Sequence, residues 1–242
     1  MSKLSTTAMI LAAGLGARMR PLTLEKPKPM FEVGGRTMLD LALDKLVAFG
    51  IQKAVVNTFY LPEKIENHLA ARRDIEIVIS RESELLDTGG GIKKALKHFD
   101  GQPFFALNAD LPWMDGETPS LTTMAAAWNA DTMDAMLLVM PTKAARGFSA
   151  SGDFAMKPDG HLYRKNLKPP RPYVMLSAQI LKPQMFESIT DTKFSNNIVW
   201  DQTEAQGRLY GAVHKGTCYH VGTPEDLHKA NALLAAGQGW AV

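Results

Sequence analysis

The first 110 residues alternate between short apolar runs and longer stretches in which apolar residues recur every three or four positions. The short runs predict buried strands, and they lie at residues 8–13, 54–57, 75–79 and 104–107. The longer stretches predict helices at residues 37–49, 61–71 and 91–98. Strands that alternate with helices at this spacing are typical of a parallel sheet with helices on both faces.

The second half of the chain is less regular. Residues 145–172 are rich in glycine, proline, lysine and serine, and they predict short antiparallel strands and loops. Around them, helices are predicted at residues 120–129, 197–205 and 224–236, and strands at 134–140, 174–181, 209–213 and 217–220. Because the chain shows no repeat, low-complexity tract or linker, we expect residues 1–242 to form a single domain with an elaborated second half.

Composition and charge exclude several classes of protein. At 242 residues the chain can bury a substantial core, and its formal net charge of +2 is too small to indicate nucleic acid or a membrane surface as a partner. The single cysteine, Cys218, excludes a disulfide framework and a cysteine-based zinc site and is consistent with a reducing cytoplasm. Residues 1–7 lack the pattern of a signal peptide, and no apolar stretch approaches the roughly 18 residues of a membrane span. We therefore expect a cytoplasmic protein.

A glycine-containing turn follows the first predicted strand. Residues 12–18 read AAGLGAR, and the cations and prolines that come next are Arg20, Pro21, Lys26, Pro27, Lys28 and Pro29. Small residues let the backbone approach a ligand closely, and exposed N–H groups can bind phosphate oxygens. In an open parallel sheet this turn lies at the edge where ligands bind. The segment therefore predicts a triphosphate site, and the alternative is a strand-to-helix turn with surface charges.

Two better-known phosphate motifs do not fit this turn. A Walker A loop would end in Gly-Lys-Ser/Thr, which does not occur here. The dinucleotide-binding fingerprint would need a third glycine where Met19 stands and a helix directly after it, and Pro21 disfavours a long helix. The turn is therefore a different kind of phosphate-binding segment.

Four blocks of sequence together resemble the sugar-1-phosphate nucleotidyltransferase family. The first has the form Leu-Ala-x-Gly-x-Gly-x-Arg-Met-x-Pro-Leu-Thr from Leu11 to Thr23, with Ala13 as a common variant of a family glycine, and it continues with Lys28 and Pro29. The other blocks are residues 86–92 (LDTGGGI), 107–110 (LNAD) and 220–224 (HVGTP). The blocks stand in the family's order. The resemblance implies a Rossmann-like α/β fold, with a mixed, mostly parallel central sheet flanked by helices.

The resemblance also implies nucleotidyl transfer. A phosphate oxygen of a sugar 1-phosphate attacks the α-phosphorus of a nucleoside triphosphate, and pyrophosphate leaves. Arg18 would neutralise the β- and γ-phosphates, Lys28 would lie near the α-phosphate and the incoming phosphate, and Asp110 would hold Mg²⁺, or Mn²⁺ in its place. These three residues are the predicted catalytic residues.

The implied nucleotide site lies mainly in residues 1–110. Its predicted members are Leu11, Ala12, Ala13, Gly14, Gly16, Arg18, Lys28, Glu82, Thr88 and Gly89. A small loop over the base favours a pyrimidine, so UTP is the expected nucleotide. Three successive glycines at 89–91 indicate close approach of backbone, and the alternative is a flexible turn that opens the next helix.

His220 stands where the family usually has a second metal-binding aspartate. Histidine suits Mn²⁺ or Zn²⁺ better than Mg²⁺, so His220 could shift the metal preference, donate to a phosphate, or mark a weakened second metal site. A histidine that simply packs at a strand end is the remaining alternative. The predicted metal ligands are therefore Asp110 and His220.

The sugar 1-phosphate is expected to bind mainly to residues 111–242. The predicted contacts are Asn108, Asp153, Lys165, Ser177 and Asn197, with Lys168 as an alternative to Lys165. The implied substrates are UTP and N-acetylmuramate α-1-phosphate, in cell-wall recycling. The alternatives are a guanylyl- or thymidylyltransferase for mannose or glucose 1-phosphate, and a non-catalytic regulatory domain that binds nucleotide sugars. A monomer or small homo-oligomer is expected.

Overall fold

The computed structural model describes residues 3–148 and 151–237. A seven-stranded sheet forms its centre, in the order β12-β8-β11-β6-β1-β4-β5. These strands are β1 Thr7–Leu11, β4 Lys53–Thr58, β5 Glu76–Arg81, β6 Phe104–Asn108, β8 Ala135–Pro141, β11 Tyr173–Leu181 and β12 Leu209–Val213. β11 is antiparallel to both of its neighbours, and every other pair in this sheet is parallel. The mixed, mostly parallel sheet is therefore confirmed.

Helices cover both faces of the sheet. They are α1 Met38–Phe49, α2 Pro62–Leu69, α3 Asp87–Ala95, α4 Ser120–Ala127, α5 Asn196–Ala205 and α6 Pro224–Ala235. Side chains alternate along a strand, so Ile10 packs on the face that carries α1, α2 and α4, whereas Met9 packs on the face that carries α3 and α5. Apolar residues on both faces explain why the strands read as continuous apolar runs.

Three two-stranded ribbons lie outside the main sheet. They pair β2 Glu32–Val33 with β3 Arg36–Thr37, β7 Trp113–Met114 with β13 Thr217–Cys218, and β9 Ala155–Met156 with β10 Leu162–Tyr163. The last ribbon lies in the segment predicted to form short antiparallel strands, which is thereby confirmed. The chain after β1 forms single turns of 3-10 helix at Ala17–Met19, Leu22–Leu24 and Lys28–Met30 rather than a long helix.

Apart from the apolar residues on the two faces of the sheet, a further apolar cluster connects the two ends of the chain. Tyr219, Val221 and Ala230 pack against Met19, Phe31 and other residues of the first 38. A reciprocal Thr223–Asp226 capping box begins α6, and Asn231 hydrogen-bonds to the β2–β3 turn at Gly34 N and Glu32 O. The last helix therefore supports the segment that follows the first strand.

Two predicted boundaries are wrong in ways that affect the site. The helix predicted from residue 91 begins at Asp87, so all three glycines are helical. The strand predicted over residues 217–220 ends at Cys218, which leaves His220 in a loop. In the part of the chain that the structure describes, no helix is both long and apolar enough to cross a membrane.

Candidate active site

The turn after β1 brings backbone and cations together at the carboxyl edge of the sheet. Gly16 has φ +59°, and a Cβ atom there would lie 2.9 Å from Thr23 Cγ2 and 3.0 Å from Lys28 Cβ. Only glycine meets both conditions without strain. The Thr23 hydroxyl donates to Gly16 O at 3.1 Å, and this contact folds the proline-containing segment back over the turn.

A cavity of about 420 Å³ opens beside this turn. Most of the predicted nucleotide and catalytic residues line it, together with one predicted sugar residue. They are Leu11, Ala12, Ala13, Gly14, Gly16, Arg18, Lys28, Thr88, Asn108 and Asp110. The residues were separated by up to 99 positions in the sequence, and the carboxyl ends of β1 and β6 bring them to the same edge of the sheet.

Lys28 and Asp110 form the central ion pair of the cavity. Lys28 Nζ lies 2.8 Å from Asp110 Oδ2, and the lysine is only 6% exposed. Asp110 follows β6 directly, where Ala109 N–H donates to Leu11 O at 3.0 Å and holds the strand end beside β1. The pair therefore holds a positive charge and a carboxylate side by side in the cavity.

Arg18 and Gly222 line another part of the cavity, and the predicted metal ligand His220, which is not among the lining residues, lies beside Gly222. A Cβ atom at Gly222 would lie 2.9 Å from His220 Nε2 and 3.2 Å from Arg18 Nη1, so a larger residue would displace both. Burial, and then the charges of Lys28 and Arg18, lower the pKa of His220, which keeps the imidazole neutral at neutral pH. Its Nδ1 is buried and has no hydrogen-bond partner among the described residues. The ring of His220 packs against Phe148, with 5.0 Å between the ring centroids.

These residues could share a divalent cation with a triphosphate. Among the described residues, no group of three or more histidine, cysteine, aspartate or glutamate side chains converges as a metal site. Asp110 lines the cavity and offers a carboxylate, whereas the unpartnered Nδ1 atom of His220 is buried. Mg²⁺ is commonly held by one or two carboxylates together with substrate phosphates, so this sparse donor set fits that ion.

Two predicted nucleotide residues do not line the cavity. Glu82 is 5% exposed, and its carboxylate accepts hydrogen bonds from Asn57 Nδ2 at 2.7 Å and Leu86 N at 3.0 Å. Gly89 is buried, and its N–H donates to Phe194 O at 2.9 Å. The direct contact of these two residues with the base stays a prediction, and in this structure protein partners occupy their polar groups.

Four predicted sugar residues also lie away from this cavity. The Ser177 side chain is fully buried and donates to Leu111 O, whereas Asp153 Oδ2 accepts from Met175 N where β11 changes register. Lys165 lines a separate surface cavity, and Asn197 Oδ1 accepts from Arg164 Nη1 at 2.8 Å. The structure thus brings only Asn108 of the predicted sugar set to the cavity.

The cavity also contains polar residues that the sequence did not single out. Asn57 is the penultimate residue of β4 and lies at the same edge, so its position near the strand end was a usable signal. Asp87 has φ +63° at the start of α3, and Lys193 comes from the loop before α5. No local sequence pattern pointed to Lys193. Its loop is held beside the cavity by the hydrogen bonds of the next residue, Phe194, with Leu86, Gly89 and Gly90.

Comparisons with known proteins agree with this geometry. Residues 7–237 match the family described as "Nucleotidyl transferase". The chain is 39% identical over 240 residues to N-acetylmuramate alpha-1-phosphate uridylyltransferase of Caulobacter vibrioides, covering 97% of this chain and 99% of that protein. It is 31% identical over 233 residues to the protein of the same name from Neisseria meningitidis serogroup B, covering 95% and 98% of the two chains.

A solved structure shows the same fold. The crystal structure of HddC from Yersinia pseudotuberculosis superposes with a TM-score of 0.76 at 22% identity, over 97% of this chain and 100% of that one. The family match spans almost all of the chain. The chain therefore belongs to the nucleotidyl transferase family.

Proposed function

We propose that this chain transfers a uridylyl group from UTP to N-acetylmuramate α-1-phosphate, and that it does so with a divalent metal ion. The observation that carries the proposal is the convergence of Arg18, Lys28 and Asp110 on one cavity at the carboxyl edge of the sheet. The choice of substrates rests on the name shared by the two relatives that match over nearly the whole chain.

The proposed reaction exchanges one bond at phosphorus for another. An oxygen of the sugar phosphate bonds to the α-phosphorus of UTP, and the bond from that phosphorus to the bridging oxygen of the β-phosphate breaks. The bridging oxygen keeps the electron pair and leaves within pyrophosphate. Since the second pKa of a phosphate monoester is about 6, the attacking oxygen is largely anionic at neutral pH and needs no general base. The barrier then comes from charge repulsion and alignment.

The cations of the cavity meet these two requirements. Arg18 is exposed at the rim, and its planar guanidinium suits the terminal phosphates and the leaving pyrophosphate. Lys28 is a point charge that the Asp110 carboxylate holds in place before substrate binds, so it costs no reorganisation during the reaction. We assign it to the α-phosphate and the incoming phosphate.

Asp110 is the residue proposed to hold Mg²⁺ jointly with triphosphate oxygens. When bound, the ion supplies positive charge against the triphosphate. His220, beside Gly222, is proposed as a neutral partner, either to the metal ion, with a bias toward Mn²⁺, or as a donor to phosphate.

Pyrophosphate release tests this proposal directly. We would measure kcat/KM for UTP, CTP, GTP and dTTP, each against the 1-phosphates of N-acetylmuramate, N-acetylglucosamine, mannose and glucose. The highest value is expected for UTP with N-acetylmuramate 1-phosphate. Asp110→Asn should reduce that value roughly a hundredfold or more, because it removes the carboxylate proposed to hold the metal ion. Asp159→Asn is the matched control, because Asp159 is exposed and pairs only with His161 among described ion pairs.

Other results would assign the chain differently. A preference for GTP with mannose 1-phosphate, or dTTP with glucose 1-phosphate, would replace the proposed substrates with the alternatives considered above. Tight binding of nucleotide sugar without pyrophosphate release from any of the sixteen pairs would indicate a regulatory binding domain instead.

A further inference from the structure

A chain of buried hydrogen bonds begins at two residues that line the cavity, Ala12 and Asn57. Asn57 is the penultimate residue of β4 and is 2% exposed, and its Oδ1 accepts from Ala12 N–H at 2.7 Å. Its Nδ2 donates to Glu82 Oε1 at 2.7 Å, and Glu82 Oε2 accepts from Leu86 N–H at 3.0 Å. We call these two side chains, with the two backbone amides they bind, the Asn57–Glu82 relay.

The relay joins two loops that both line the cavity. Ala12 belongs to the turn after β1, and Leu86 immediately precedes α3, between the lining residues Leu85 and Asp87. Ala12 directly follows the last residue of β1, and Leu86 directly precedes the first residue of α3. The spacing of the two loops therefore depends on the length and hydrogen-bond polarity of these two side chains.

The polarity of the relay is fixed by its end groups. Backbone N–H groups can only donate, and the Glu82 carboxylate can accept from two donors when ionised. Asn57 must therefore turn its oxygen toward Ala12 and its NH₂ toward Glu82. There is no spare space, because a Cβ atom at Gly91 would lie 2.6 Å from Asn57 Nδ2 and 2.9 Å from Glu82 Oε1. This close approach gives Gly91 a physical reason to be glycine.

We propose that Asn57 and Glu82 are positioning residues that hold the phosphate turn and the start of α3 at the separation a nucleotide requires. The proposal rests on the proposed function in one respect, that this cavity binds a nucleoside triphosphate. Glu82 does not read the base in this arrangement. It sets the position of the loop that covers the base, and its effect should appear in nucleotide affinity before it appears in turnover.

A reversed relay gives a sharp test. Asn57→Asp alone places two carboxylates against each other, and Glu82→Gln alone turns an NH₂ group toward a donor at one of its two contacts. In the double variant the new carboxylate at position 57 accepts from Ala12 N–H and from the new amide at position 82, whose oxygen accepts from Leu86 N–H. Both loop contacts and the net charge are then restored with the opposite polarity.

The readout is the dissociation constant of UTP, measured by calorimetry without sugar phosphate, together with KM and kcat. Each single variant should weaken UTP binding on the order of tenfold, because each leaves one buried polar contact unsatisfied. The double variant should recover most of that loss, with kcat changed less than KM throughout. Thr203→Val is the stability control, since Thr203 is 3% exposed and its hydroxyl donates to Val199 O within α5.

Amide hydrogen exchange of the parent protein provides a second measurement that does not depend on how the variants fold. Saturation with UTP should slow exchange at Ala12 and Leu86 together. Protection of Ala12 alone would overturn the proposal, as would single variants that lose thermal stability like Thr203→Val yet bind UTP normally. Failure of the double variant to recover binding would overturn it too. A parent protein that binds none of the four triphosphates would instead refute the proposed function.

Discussion

Lys28 carries its charge at a position that is only 6% exposed, and Asp110 makes that burial tolerable. Removing one partner of such a pair leaves an uncompensated charge, which costs more than the pair itself contributes. Asp110→Asn should therefore lower stability as well as activity. For that reason, its kinetic effect must be measured below the temperature at which the variant begins to unfold.

His220 is proposed as a metal ligand or as a donor to phosphate, and the choice of metal ion distinguishes these roles. We expect His220→Asp to raise the ratio of Mg²⁺-supported to Mn²⁺-supported activity, because a carboxylate oxygen suits Mg²⁺ better than an imidazole nitrogen does. The measurement is kcat/KM with each ion, for parent and variant, at saturating metal.

The matching control is His220→Asn, which offers an amide of similar size without the charge. If the two ions support parent and His220→Asp in the same ratio, then His220 is not a metal ligand. A loss of stability without any change in the ratio would identify it as a packed residue that cannot accept a buried carboxylate.

Residues whose proposed role depends on their backbone or on their own charge could be located from the sequence. The places of Gly14, Gly16 and Arg18 follow directly from the end of β1. The partners of Glu82 and Ser177 could not be predicted, because they depend on a residue 25 positions away for Glu82 and 66 positions away for Ser177. A side chain that could face a ligand can equally satisfy a distant backbone group.

At the scale of elements, α3 departs most from its sequence pattern. Glycine is among the poorest helix formers, yet Gly89, Gly90 and Gly91 all lie within α3. Phe194 accounts for much of this: its carbonyl accepts from the N–H groups of Gly89 and Gly90, and its own N–H donates to Leu86 O. Asn196 N–H also donates to the Thr88 hydroxyl at 2.9 Å. Local propensity predicted a later start because these contacts are all long-range.

Gly90→Ala should lower the free energy of unfolding by about 2 kcal/mol, although alanine is the better helix former by about 1 kcal/mol. The added Cβ atom would collide with the carbonyl oxygen of Thr192, which is backbone and cannot turn away. Chemical denaturation of parent and variant measures the difference.

Gly14→Ala is the control for this prediction, since nothing lies within 4 Å of a Cβ atom built at Gly14. Its unfolding midpoint should match that of the parent protein. A Gly90→Ala protein as stable as Gly14→Ala would mean that the segment around Thr192 can move aside, and that α3 does not depend on close contact with it.

For the whole molecule, buried histidines make stability depend on pH. His214 follows β12, and its Nδ1 lies 2.8 Å from the hydroxyl of Ser120, which also donates to Asp115. Burial lowers the pKa of His214 below its ordinary value. The unfolded chain therefore takes up a proton at higher pH than the folded chain does. Stability from this group is complete above about pH 6.5 and declines as the pH falls below that value.

His214→Asn should flatten this decline between pH 7.5 and pH 5.5. One histidine contributes a slope of at most about 1.4 kcal/mol per pH unit, so denaturant titrations at half-unit steps can resolve it. His98 and His220 also have lowered pKa values, and their share of the slope remains in both proteins. Parallel curves for parent and variant would show that His214 is not the source.

The alternation of strands and helices was enough to predict the parallel part of the sheet. It could not predict that β11 runs antiparallel between β6 and β8, because no local pattern records the direction in which a strand returns. The packing of α6 against the segment after β1 was hidden for the same reason. The β6–β11 pairing and the packing of α6 join residues more than 70 positions apart, and the β8–β11 pairing joins residues 32 to 46 positions apart.

The strand order has a consequence for how the molecule could be divided. β6, β1, β4 and β5 are contiguous in the sheet, as are β12, β8 and β11, and the two blocks meet along a single antiparallel seam between β6 and β11. A backbone cut in the exposed stretch at 116–119 would leave each fragment with one bare, apolar strand edge. Such fragments should precipitate when expressed apart and complement each other when expressed together. Met19, beside the phosphate turn, packs against α6, which belongs to the second fragment. Recovery of nucleotide binding would therefore measure how well the two fragments reassemble.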